Sequence, residues 1–253
     1  MNLTLLDMKT FLFTFILFFV FVIGFSQELP KVEEAYNNGN YNEAIDLYEQ
    51  ELKNGVSSKL YYNLGNAYYK AQQIPSAILN YERALLLDPG NQDIRFNLEM
   101  TKRKLANRIE PVEIFFLVQW FRDLQNLQSS DAWAKLSIAF FILLIFCLFS
   151  FFFGRIRILK RIVFYGGLFL IVALIFTNIF SNNQKNKLSH KEYAILFEPS
   201  VTVKSSPNPG GKELFVIYEG VKIHIKRTLN DWCEIELEDG NVGWIPLSMV
   251  ERI

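Results

Sequence analysis

The rhythm of apolar and polar positions changes several times along this chain. Residues 136–153 and 162–180 are unbroken by any Asp, Glu, Lys, Arg or His, and only residues 154–161 separate them. Each run is close to the roughly 20 residues that a helix needs to cross a bilayer, and a helix satisfies its own backbone in lipid. The pattern therefore predicts a two-helix membrane hairpin over 135–181, with the flanking segments on one side of the membrane. The link carries Arg155, Arg157, Lys160 and Arg161 and no acid, which places it in the cytoplasm by the positive-inside tendency. Lys185, Lys187 and Lys191, just beyond the second run, weaken that reading, so a second signal is needed.

The start of the chain supplies it. Lys9 precedes an apolar stretch, 11–23, followed by Gly24, Phe25, Ser26 and Gln27. A basic lead, an apolar core and small residues before a cut describe a secretory signal peptide, 1–26, with Gln27 as the mature first residue. Met8 reads as a natural start. An uncleaved anchor with Lys9 inside would export the same residues. Both signals predict exported flanks, and no lipobox cysteine follows the signal.

Between residues 27 and 110 the period is helical and the sequence repeats. Asn63-Leu64 recurs as Asn97-Leu98, 34 residues on, and Gly39–Tyr48 parallels Gln72–Tyr81 at an offset of 33. Residues 58–91 place Tyr61, Leu64, Gly65, Tyr68, Ala77, Tyr81, Ala84 and Pro89 at the signature positions of the tetratricopeptide repeat (TPR), which they closely resemble. Leu60, Leu64, Ala67 and Tyr68 form one apolar stripe. Gly65 and Ala77 are small where two helices must approach closely, and Asp88-Pro89-Gly90 stops the second helix. The copy at about 28–56 is weaker, and 92–107 supplies a capping helix. The resemblance implies a concave face that takes an extended peptide or partner helix. Tyr62, Asn66, Tyr69 and Lys70 are expected to face it, with Asn63 and Asn97 at equivalent positions beside them. Either these asparagines bind a peptide backbone or they are ordinary amides of a helix surface.

Residues 111–134 read as an amphipathic juxtamembrane segment. Ile114, Leu117, Phe121 and Leu124 recur at helical spacing, while Trp120 and Trp133 suit a headgroup belt. Ser130 is the expected N-cap of the first membrane helix. After a polar linker, 181–191, the period becomes two: Val201/Val203, Val221/Ile223/Ile225 and Cys233/Ile235/Leu237 predict half-buried strands, with Asp239-Gly240 as a hairpin turn. About five strands over 189–253 imply a small barrel. Asp231-Trp232, Asp239-Gly240 and Gly243-Trp244 resemble the bacterial SH3-like domain, and the resemblance implies an aromatic ligand face of Tyr218, Trp232 and Trp244, with cell-wall peptides as the substrate. The alternative is that Trp244 is core and Trp232 an edge residue. His224 shares a polar face with Lys222 and Lys226 and is expected in solvent; His190 falls in the linker.

The fold class is thus multidomain: all-α TPR hairpins, a two-helix transmembrane hairpin and a C-terminal all-β SH3-like barrel. Composition trims the functions open to it. With 26 basic and 26 acidic residues the chain offers nothing to a polyanion, and its 24 phenylalanines sit largely in the apolar runs. Cys147 lies in a membrane helix and Cys233 in the distal domain, so no disulfide between them is expected. Among the sequence patterns there is no metal-ligand spacing, phosphate-cradling loop or nucleophile signature, so neither an enzyme nor a cofactor is expected. The order of signal peptide, TPR array, membrane hairpin and SH3-like domain resembles the TPR members of the Bacteroides-type aerotolerance (Bat) proteins of Bacteroidota. That resemblance implies a Gram-negative inner membrane with both modules periplasmic. It also implies partners among Bat membrane proteins with von Willebrand factor A domains, a MoxR-type ATPase pathway, and a role in oxidative-stress tolerance. The competing expectation is a peptidoglycan-binding protein that recruits wall enzymes.

Overall fold

A computed structural model describes residues 29–106, 109, 112–189 and 192–253. The expected signal peptide and His190 lie outside the described residues. Among the described residues, eight α-helices precede a sheet. Helices α1 (Leu29–Asn37), α2 (Tyr41–Asn54), α3 (Ser58–Lys70), α4 (Ile74–Leu87) and α5 (Gln92–Lys102) build the repeat array; α6 (Phe116–Gln125) follows, then the long pair α7 (Ser130–Phe153) and α8 (Arg157–Ser189).

The array forms where the repeat pattern demands it. Ser57 caps α3 by accepting from the Leu60 N–H, and Asn91 caps α5 by accepting from those of Asp93 and Ile94. Gly65 admits the Tyr81 ring: a Cβ there would lie 2.7 Å from it. Ala77 and Ala84 are fully buried on the facing side of α4. The turn between paired helices needs one left-handed residue, and the offset of 33 puts Gly39 (φ 81°) and Gln72 (φ 63°) at that place in the two copies. Gln72 holds a conformation that glycine adopts without penalty.

Helices α7 and α8 are long and apolar enough to cross a membrane. They are joined side by side through polar contacts: the Asn178 amide donates to Ser137 Oγ at 2.8 Å, and the Ser130 and Ser181 hydroxyls each donate to the other's backbone carbonyl at 3.0 Å. Two local readings change. The side chain capping α7 is Ser129, one residue earlier than expected, and the polar stretch 181–189 continues α8 as helix instead of unwinding into a linker. Its amides find partners: Gln184 Nε2 donates to Gln125 O and Asn126 Oδ1, both at 3.1 Å. Helix α6 docks on the same end of the pair, with Phe121 5.2 Å from the Phe180 ring and Trp133 Nε1 donating to Gln125 O at 2.9 Å.

The C-terminal unit is an antiparallel sheet of seven strands in the order β3-β2-β6-β5-β4-β1-β7, two more than expected. They are β1 (Tyr193–Leu196), β2 (Ser200–Lys204), β3 (Glu213–Tyr218), β4 (Lys222–Leu229), β5 (Trp232–Glu236), β6 (Val242–Pro246) and β7 (Val250–Arg252). The alternating residues Val201, Val203, Ile223, Ile225, Cys233 and Ile235 are its core. Gly240 turns β5 into β6 at φ +85°, with the Asn241 N–H donating to Asp239 Oδ1. Cys233 is sealed inside, and burial pushes its thiol up to about 11. His224 is only partly in solvent: its ring stacks on Tyr193 at 5.0 Å, with Glu236 Oε2 3.4 Å from Nδ1.

Strand β1 departs from period two, because Ala194, Ile195 and Leu196 are all buried. Ala194 and Leu196 face the sheet core, whereas Ile195 joins Ile253 and the α4 residues Ile78 and Leu79 in a cluster shared with the array. The array and the sheet are therefore one packed body, joined through the outer side of α4.

Candidate protein-interaction faces

The helices α1, α3 and α5 turn one face of the array outward. On α3 and α5, Tyr62, Asn66 and Asn97 come together with Tyr81 reaching up from α4. Tyr81 Oη donates to Asn66 Oδ1 at 2.7 Å, and Asn97 Nδ2 donates to the same oxygen and to Tyr62 Oη, each at 3.0 Å. The Tyr62 and Tyr81 rings lie 6.0 Å apart. Burial raises the Tyr81 hydroxyl, which the neighbouring tyrosines Tyr62, Tyr36 and Tyr69 reinforce, so the cluster stays neutral. Tyr69 is half-buried beneath Lys104, whose ammonium lies 4.1 Å from the ring centre. Lys70 stands exposed at the end of α3.

Asn63 belongs elsewhere. Its amide lies against the Tyr48 hydroxyl of the preceding repeat, just as Asn97 lies against that of Tyr81. The repeat thus copies a tyrosine–asparagine contact between successive hairpins. Asn97 adds to it the link to Tyr62 and Asn66, which is where the two equivalent positions differ.

The opposite side of α4 carries residues that sequence reasoning passed over. Glu82 is 7% exposed and lies between two cations: Lys222 Nζ of β4 is 2.6 Å from Oε2, and Lys102 Nζ of α5 is 3.1 Å from Oε1. Burial alone raises the Glu82 carboxyl, but the two ammonium groups outweigh it and hold it down to about 2. Arg83 reaches β7, donating to Glu251 Oε1 at 2.9 Å and to the Arg252 carbonyl at 2.7 Å. Gly220 (φ +80°), in the turn before β4, brings the sheet so close that a Cβ would meet Leu105 Cδ2 at 2.5 Å. A signal for this contact was present: the run 193–197 is continuously apolar where one-sided strands alternate.

On the sheet, Trp232 and Trp244 are diagonal neighbours of β5 and β6, since Trp232 pairs with Pro246 and Glu234 with Trp244. Trp232 is half-buried. Trp244 is only 7% exposed, and the Arg227 guanidinium lies 5.2 Å from its ring centre, held by a 2.6 Å bond to Glu234. Tyr218 stands exposed on the edge strand β3, with β2 and β6 between it and β5. The three aromatics are therefore not one contiguous patch.

Residues 58–91 match the tetratricopeptide repeat family. Over 66 residues the chain is 38% identical to mouse sperm-associated antigen 1 and 36% identical to its rat counterpart. That alignment covers 26% of this chain and 7% of either relative, so the likeness is confined to a short stretch of much longer proteins. The matched residues are the α3–α4 hairpin and the turn that follows it, so the tetratricopeptide likeness rests on one repeat of the array.

Proposed function

We propose that the chain is a membrane-anchored scaffold that gathers protein partners at the periplasmic face of an inner membrane, within a Bat-type aerotolerance complex. The observation that carries this reading is the placement of both folded modules at one end of the apolar pair α7–α8. Helix α6 docks there through Phe121, and the polar end of α8 leads directly into β1. The basic link lies at the other end. In this reading the groove around Tyr62, Asn66 and Tyr69 receives an extended segment of a partner such as a von Willebrand factor A protein, and the chain does no chemistry of its own.

Crosslinking in intact cells followed by purification from membranes tests it. Recovery of a von Willebrand factor A protein, lost in an Asn66→Ala/Asn97→Ala variant, is the expected result; recovery of none sinks the Bat assignment. A reporter fused after Ile253 is expected to be active only if it functions in the periplasm. The second reading, peptidoglycan binding, calls for an accessible aromatic face. The covering of Trp244 by Arg227 favours the scaffold. Retention on purified sacculi that depends on Trp232 reverses that order.

A further inference from the structure

A cleft of about 950 Å³ opens where the array, the sheet, α6 and the polar end of α8 meet. Its upper wall carries both signs of charge, with Arg95 donating to the Pro89 carbonyl at 2.8 Å and Glu238 in the field of Lys102. Glu82 holds Lys222 and Lys102, Glu99 lies 4.0 Å from Lys102, and Glu192 lies 3.5 Å from His224. The lower wall differs. Arg122 of α6 and Lys187 of α8 both line the cleft, and neither forms an ion pair among the described residues. Asp123, also on that wall, accepts from Gln119 Nε2 at 2.9 Å. Among the described residues, the Lys187 ammonium donates to the Asn126 amide oxygen at 3.4 Å and to no carboxylate. Desolvation by the cleft walls, then Arg122 and Lys222, push its pKa below the ordinary lysine value. Two cations that face one partly desolvated cleft repel each other, and an anion between them offsets that repulsion.

We propose that this cleft binds a phosphate group between Arg122 and Lys187, carried there on a lipid headgroup. Position favours that source. Helix α6 also exposes Phe116, Leu117 and Trp120, at 68%, 53% and 61%, while its Phe121 packs on Phe176 and Phe180 of α8. A lipid packed beside that surface places its headgroup at the level of α6. Arg and Lys are the side chains that recognise phosphate, the first by its fork of donors and the second as a point charge. The proposal rests on the hairpin lying in a bilayer, but on no protein partner.

Native mass spectrometry of the full chain in detergent tests it. Phosphatidylglycerol is offered beside diacylglycerol of the same acyl chains, and glycerol phosphate is offered separately without lipid. At least fivefold preferential retention of phosphatidylglycerol is expected, lost in Arg122→Gln/Lys187→Gln. It is expected to persist in the charge-matched control Lys53→Gln/Lys59→Gln and in the charge-conserving Arg122→Lys/Lys187→Arg. The last variant guards against loss through misfolding. Equal retention of the two lipids, or equal loss in the control, overturns the proposal. Binding of glycerol phosphate alone, with the same dependence on Arg122 and Lys187, keeps the phosphate site but overturns the lipid as its source. Failure here leaves the scaffold reading standing, and loss of Bat partners leaves this site standing.

Discussion

The open and covered faces of the TPR array solve one problem, polar groups held partly out of water, with different chemistry. On the open face Tyr62, Asn66, Asn97 and Tyr81 are neutral and bond to one another. On the covered face Glu82 is ionised and clasped by cations from two other elements, one of them in the sheet. A neutral hydrogen bond contributes about 1 kcal/mol net, so an incoming peptide can exchange with it at little cost. Removing one member of a buried ion cluster costs several times that. The open face is therefore suited to reversible binding, and the covered face to permanent attachment. The sheet is packed onto the array through Ile195, Lys222 and Glu251, and does not swing freely beside it.

The sharpest way to break this contrast is Glu82→Ala. It strands two lysines at the interface, and a loss of about 3 kcal/mol is expected in denaturant unfolding of the detergent-solubilised chain, with faster proteolysis between the array and the sheet. A loss below about 1 kcal/mol would mean the attachment does not depend on the cluster. Replacing Glu82 and Lys222 together by methionine should recover most of the stability, since no buried charge is then left unpaired.

Acid titration probes the same cluster without mutation. The folded carboxyl sits at about 2 against the ordinary 4.5, so between those values the unfolded chain binds the extra proton and stability rises with pH. The contribution of Glu82 is complete above about pH 4.5 and disappears as pH falls toward 2, an effect of about 3 kcal/mol. The stability gap between the parent chain and Glu82→Gln should close over that window. A gap that is constant with pH contradicts the assignment.

Gly220→Ala attacks the interface from the sheet side. The left-handed backbone at φ +80° is costly for alanine, and its Cβ drives into Leu105. The Leu105 side chain can yield, so the expected loss is about 1–2 kcal/mol, read by the same unfolding. A normal unfolding curve would show that the turn can leave the array.

Much of this architecture was legible from the chain because it is written in local rules. The small residues Gly65 and Ala77, the stop at Asp88-Pro89 and the alternation at Val221, Ile223 and Ile225 each report their own surroundings. What covers an outward residue is not a local property. Glu82 and Arg83 drew no reading from the sequence, because their partners Lys222 and Glu251 lie 140 and 168 residues away. The same holds for Trp244: its strand position was readable, but the Arg227 lid depends on pairing of β4, β5 and β6. The polar stretch 181–189 was misread for the converse reason. Its amides are helical since Gln125 and Asn126, at the end of α6, give them partners.

On the open face the expected effects are smaller. Asn97→Ala removes donors to Tyr62 and Asn66 and is expected to lower stability by about 1 kcal/mol while weakening partner capture far more. Equal effects on both would mark Asn97 as structural cement, and would blur the distinction between the two faces.

Lys104→Ala is the gentlest test, and it bears on what the open face can offer. The ammonium lies 4.1 Å from the Tyr69 ring centre at a half-exposed site, a geometry that contributes about 0.5–1 kcal/mol. Losing it uncovers the ring without disturbing the Asn66–Asn97–Tyr62 bonds, none of which involves Lys104. Stability should fall by no more than that amount. Binding separates the two roles Tyr69 can play. If the bare ring is itself a contact surface, partner capture in Lys104→Ala is preserved and is lost in Lys104→Ala/Tyr69→Ala. If the cation is the contact, Lys104→Ala alone abolishes capture, and the groove selects partners by charge as well as by shape.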